Sequence, residues 1–203
     1  REAVYPYHNE ETNTIFSPAL IFFKDLIQKN IDHCISMVGE PSRLRPHVKT
    51  HKTREVTLME VEAGITKHKC ATIAEAELLA RCGVTDIFLS YNLVGPNCQR
   101  MAQLVKQYPD VQFLTQVDHP LAAQSLAQAM KQTDTELEVL LDLDVGQHRT
   151  GIAPGEDALK LYQSLVTLDG LKPGGLHVYD GHNHEESSEA RRATADEAMK
   201  QVL

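Results

Sequence analysis

Residues 138–145 read E-V-L-L-D-L-D-V, and the loop that follows, residues 146–151, reads G-Q-H-R-T-G. A run this apolar points to a strand covered on both faces, as in a parallel sheet between helices. The two acids within it, Asp142 and Asp144, need partners once buried. The glycines on either side of Arg149 let the backbone approach a ligand closely.

The same rhythm repeats along the chain. An apolar run over 19–23 leads into a helix over 25–38, and a strand over 44–49 precedes a helix over 55–63. A strand over 67–71 precedes a helix over 73–81, capped by Thr72 with Glu75 three residues on, and closed by Gly83. Strands over 86–90, 111–117 and 137–143 precede helices over 97–107, 121–131 and 156–166. A strand over 175–179 precedes a polar helix that begins near residue 188. The result is about six β–α units, which suits a doubly wound open sheet or a (β/α)8 barrel. No G-x-G-x-x-G follows the first strand, which weakens the dinucleotide-binding version. Spacing alone leaves both architectures open.

Composition sets the outer bounds. The 203 residues are 42% hydrophobic and 24% charged, as in an ordinary globular chain. Twenty Lys plus Arg against 28 Asp plus Glu give a net charge of -8, the wrong sign for non-specific nucleic-acid binding. No apolar run approaches the roughly 18 residues of a membrane span, so neither nucleic acid nor membrane is an expected partner. The four cysteines, Cys34, Cys70, Cys82 and Cys98, form no C-x-x-C pair. Neither a zinc knuckle nor a disulfide framework is expected, and a cytoplasmic setting fits.

Three polar clusters could carry chemistry. In R-P-H-V-K-T-H-K (45–52), strand alternation would place His47, Lys49 and His51 on one face. Like charge and desolvation there would favour the neutral lysine amine, the form that attacks carbonyls. A basic strand end meeting solvent or a phosphate is the plainer alternative. The second cluster is the Asp142–Gly151 stretch around Arg149, which could equally be a charged surface loop. The third is L-H-V-Y-D-G-H-N-H (176–184), where His177 and Tyr179 share a strand face. His182 and His184 follow in the loop beside Glu185 and Glu186, a pattern open to a metal-dependent barrel hydrolase or to solvated imidazoles.

Taken in order, several motifs together resemble the D-threonine aldolase and D-serine dehydratase family. They are S-P-A-L (17–20), R-P-H-V-K-T-H-K (45–52), C-A-T with E-A-E (70–77), D-L-D-V-G with R-T-G (142–151), and G-L-H-V-Y-D-G-H (175–182). The resemblance implies a TIM-type (β/α)8 barrel of the alanine racemase kind, with about six of eight units present. Residues 24–203 would be a partial barrel that binds pyridoxal 5'-phosphate. Residues 1–23 would be an N-terminal segment whose strand pairs with a C-terminal β-domain outside this sequence.

The resemblance also implies roles. Lys49 would hold the cofactor covalently and act as a base, and Arg149 would hydrogen-bond its phenolic oxygen. Tyr179 would lie against its ring, His182 on the substrate side, and His47 within the cofactor-binding motif. The implied activity is a lyase on β-hydroxy-D-amino acids, cleaving them to glycine and an aldehyde. The alternative is a D-serine dehydratase releasing a keto acid and ammonia. A non-catalytic carrier of the cofactor or an amino-acid racemase is more distant. A divalent metal, zinc or manganese, would be bound by residues beyond this chain, and the full-length protein would be a homodimer.

Overall fold

The structure, a computed structural model, describes residues 13–202. Short runs of four to eight residues form five strands: β1 (Lys67–Cys70), β2 (Asp86–Asn92), β3 (Gln112–Val117), β4 (Leu137–Leu143) and β5 (Leu171–Val178). The 3.6-residue periodicities form the helices between and around them: α1 (Lys24–Val38), α2 (Arg54–Glu62), α3 (Ile73–Arg81), α4 (Pro96–Gln107), α5 (Pro120–Thr133), α6 (Glu156–Leu165) and α7 (Ser188–Lys200). Helix starts follow capping chemistry. The Thr72 hydroxyl accepts from the Glu75 N–H at 3.1 Å, while the Glu75 carboxylate accepts from the Ala71 N–H at 2.8 Å.

The sheet order is β1-β2-β3-β4-β5, every pair parallel. A doubly wound sheet reverses direction at a switch point, and this one does not. Five flat strands would also hold β1 and β5 about 19 Å apart at the usual strand spacing. Instead the Lys69 Nζ on β1 lies 3.1 Å from the His177 Nε2 on β5. The sheet curls until its first and last strands touch across the interior, which settles the architecture as a section of a barrel wall.

Alternation then sorts the side chains. On β1, His68 and Cys70 are fully buried toward the helices, while Lys67 and Lys69 face the concave side. The core lies between the sheet's convex face and the helices, where Leu79, Ile87, Leu89, Met101, Leu126 and Met130 are buried. A smaller cluster of Leu141, Leu143, Ala158 and Leu161 sits beneath α6.

Two expected strands differ. Residues 44–49 do not form a ladder. Pro46 offers only its carbonyl, which accepts from the Lys69 N–H at 2.8 Å, and the chain then closes a 3-10 turn over Val48–Thr50. A single bridge, His47 to Lys69, stands where the first strand was expected. Residues 19–23 form no strand either, and Leu20 is 77% exposed. The rest of the expected N-terminal segment, residues 1–12, lies outside the described residues. No helix among the described residues is long and apolar enough to cross a membrane.

Candidate active site

A cleft of about 630 Å³ opens where the strands' C-terminal ends converge, lined by His47, Lys49, Lys69, Gln116, Arg149 and Tyr179 among others. That is the end at which barrels of this kind place their chemistry. Four of the five residues to which the resemblance gives roles therefore meet in one place.

Each is held by local structure. Val48, fully buried, pins the short turn, and the His47 Nδ1 accepts the Lys49 N–H at 3.2 Å. This leaves the Lys49 side chain exposed at the cleft. Lys52 closes the turn with a left-handed backbone, φ 53°, its N–H on the Val48 carbonyl and its Nζ 3.1 Å from Glu75. Burial disfavours charge on Glu75, yet the Ala71 N–H and the Lys52 ammonium hold its carboxyl below the usual range. His51 does not share a face with Lys49, as strand alternation had implied. The turn swings it away, its Nε2 3.7 Å from Glu60, which also pairs with the buried His68 at 2.9 Å.

The Arg149 loop is fixed by the acids at the end of β4. Asp144 accepts from the Gly146 and His148 N–H groups and from the His148 ring at 2.9 to 3.0 Å. These bonds outweigh the effect of burial and hold its carboxyl below the ordinary aspartate value. Gly151, at φ 102°, is required: a Cβ there would lie 2.6 Å from the Asp144 nitrogen. Its N–H donates to Asp118 at 2.9 Å, which binds the loop to the end of β3. The Arg149 guanidinium then sits 5.2 Å from the centroid of the Tyr179 ring, a cation–π distance.

His182 lies elsewhere. Its ring packs on Gly146, where a Cβ would stand 2.8 Å from the Nε2, and its Nδ1 is buried without a hydrogen-bond partner. It does not line the cleft. Among the described residues, no group of three or more His, Cys, Asp or Glu side chains is placed to hold a metal.

Sequence reasoning missed Lys69, Ser90, Tyr91 and Gln116, all of which line the cleft. Lys69 was within reach, because alternation in K-H-K-C places it opposite the buried His68 and Cys70. Burial, and then the Lys49 ammonium, hold its amine below the ordinary lysine value. His47 is depressed to about 4, by burial first and then by Lys49 and Lys69.

A titration follows from that value. His47 folds with a midpoint below its free value of 6.5, so the folded state binds fewer protons between about pH 4 and 6.5. His47 therefore subtracts stability as the pH falls through that window. Proton NMR should show its ring titrating near 4, and Lys49→Met should move the midpoint upward. An unchanged midpoint would remove Lys49 as a cause.

The alanine racemase N-terminal domain profile matches residues 24–203. The chain belongs to that family. Within it, the D-threonine aldolase of Arthrobacter sp is 31% identical over 158 residues, 77% of this chain and 41% of the relative. The D-threo-3-hydroxyaspartate dehydratase of Delftia sp. (strain HT23) is 30% identical over 186 residues, covering 90% and 48%. The crystal structure of D-threonine aldolase from Filomicrobium marinum superposes with a TM-score of 0.82 at 28% identity, covering 92% of this chain and 50% of that one. The chain thus spans about half the length of the relatives it matches. As an alanine racemase N-terminal domain, the curled sheet is one side of the family's barrel, and its cleft lies at the barrel mouth.

Proposed function

We propose that this chain is the cofactor-binding barrel of a pyridoxal-phosphate lyase that cleaves β-hydroxy-D-amino acids to glycine and an aldehyde. The observation that carries this reading is the convergence of Lys49, Arg149 and Tyr179 on one cleft at the strands' C-terminal ends. An amine for an aldehyde, a guanidinium for a phenolic oxygen and an aromatic face for a pyridine ring fit that cofactor. When bound, it supplies an electron sink for the bond broken at the substrate's α-carbon.

The chain's own residues place and protonate. Lys49, on a turn pinned by Val48, presents its nitrogen to the cleft as covalent anchor and base. Arg149, stacked on Tyr179, presents a permanent cation where a phenolate must stay charged. His47, neutral above about pH 4, offers a hydrogen bond without adding charge. His182 is assigned a supporting role on the substrate side, through the loop it packs. The described residues bring no three His, Cys, Asp or Glu side chains together to hold a divalent metal. The acting species is proposed to be a homodimer.

Dehydration is a second reading, favoured by the match to the Delftia dehydratase over 90% of the chain. Incubating the complete protein with D-threonine separates the two. Acetaldehyde and glycine are expected, whereas 2-oxobutanoate and ammonia would shift the assignment to dehydration. Neither product from D-threonine, D-serine or 3-hydroxy-D-aspartate would sink the lyase reading.

A further inference from the structure

The interior of the curled sheet carries an unbroken chain of side-chain hydrogen bonds that ends in the cleft. The Ser90 hydroxyl donates to the Gln116 Oε1 at 3.0 Å, and the Gln116 Nε2 donates to the Asp142 Oδ2 at 2.8 Å. The Asp142 Oδ1 accepts from the His177 Nδ1 at 2.6 Å. That bond leaves the His177 Nε2 as an acceptor, and the Lys69 Nζ stands 3.1 Å from it. Asp142 is 2% exposed, and the edge of the His177 ring packs against Phe88, centroids 5.3 Å apart. Four strands therefore cooperate to fix one amine. Surface lysines are not built this way.

We propose that Lys69 is a second acid–base group of the cleft, positioned by the Asp142–His177 pair to exchange a proton with the bound substrate. This rests on the lyase reading for its substrate, though not for its chemistry. A neutral Lys69 amine gives one N–H to the His177 Nε2, which turns its lone pair toward the cleft. Lys49 is a single amine, and a second one lets a proton be taken at one position of the substrate while Lys49 serves another. Lys69 takes a proton from the substrate in one half of the turnover and returns it in the other. The net conversion of a β-hydroxy amino acid to glycine and aldehyde therefore consumes none.

The charges around Lys69 favour its neutral form. Lys49 faces it from the short turn, Arg149 from the loop after β4, and Arg45 from the stretch before the bridge. Asp142 is the opposing charge. His47 pairs with it through the backbone bridge, and Tyr179 presents its ring 5.7 Å away. Burial adds to the cationic neighbours, and together they hold the amine below an ordinary lysine.

Two measurements test the proposal. In the cofactor-free protein, lysines labelled by 13C reductive methylation should show one resonance, absent in Lys69→Arg, that titrates below the others. Lys49→Met should raise that midpoint, and Asp142→Asn should lower it, with circular dichroism confirming that each variant folds. A Lys69 that titrates with the surface lysines overturns the proposal whatever the enzyme's substrate proves to be. In the complete, cofactor-loaded enzyme, Lys69→Gln keeps a donor toward His177 but cannot exchange the proton. Its kcat should fall by about 100-fold or more, with the cofactor's visible absorbance retained and one limb of the pH profile gone. Lys69→Arg should not rescue, since guanidinium stays protonated. Rescue by arginine would show that only positive charge is needed, and would overturn the acid–base role. Inactivity of the unmodified enzyme would refute the lyase reading instead, and the titration alone would then decide the role of Lys69.

Discussion

Lys49→Ala is expected to abolish both covalent retention of pyridoxal phosphate and turnover, with a loss of about 10⁴-fold or more. That lies at the top of the range for removing one positioned acid–base group, because the same nitrogen is also the anchor. The fold should survive. Lys49 is exposed, and the turn that carries it is held by the buried Val48 and by backbone bonds from His51 and Lys52 to the Val48 carbonyl. Borohydride reduction of the loaded protein, followed by peptide mapping, should place the cofactor on Lys49 in the unmodified chain. In the variant, the visible absorbance should wash out on dialysis. Undiminished product formation by Lys49→Ala would end the assignment. Reduction onto Lys69 in the unmodified chain would move the anchor to the neighbouring strand.

How much of this was legible depends on which forces set each segment. The strand over 137–143 was readable because its apolar run is set by burial, and the structure returns the same bounds for β4. The demand that Asp142 find a partner was readable too, since a buried carboxylate without one is costly. Its partners were not, because Gln116 and His177 reach it only through the register of two other strands. The 44–49 stretch misled for a local reason. Its polar–apolar alternation is strand-like, but Pro46 has no N–H and the next residues close on themselves. Alternation then gave His51 the wrong face. The last strand begins at Leu171, four residues before the expected start at 175. Pro173 and the two glycines after it are poor strand formers, yet a register shift opposite Val139 and Leu140 admits them. Strand and helix spacing left barrel and open sheet equal. The motifs of the resemblance implied the barrel, but the curvature that makes it one is contained in no window of sequence. It became visible when the ends of β1 and β5 met.

Asp142→Ala is expected to be the most destabilising polar substitution beneath the cleft, costing about 1–3 kcal/mol for each buried donor it leaves unpaired. The alanine leaves the His177 Nδ1–H and the Gln116 amide without acceptors at a position only 2% exposed, and unmade buried bonds cost more than made ones gain. Asp142→Asn should cost far less. Its Oδ1 can still accept from His177, and a flipped Gln116 amide would meet its Nδ2 with an oxygen while turning its nitrogen to the Ser90 hydroxyl, which can accept. Urea unfolding of the three proteins, compared at equal slope, measures the difference. The sharper comparison is the double variant Asp142→Leu with His177→Phe. Replacing both members by apolar groups of similar bulk should recover most of the lost stability while still disconnecting Lys69 from its acceptor. A stable double variant with a displaced Lys69 titration would separate what the pair contributes to folding from what it does to the cleft. An Asp142→Ala protein within about 1 kcal/mol of the parent, the worth of one ordinary hydrogen bond, would mean that His177 is held by packing against Phe88 and that the chain of bonds beneath Lys69 is incidental.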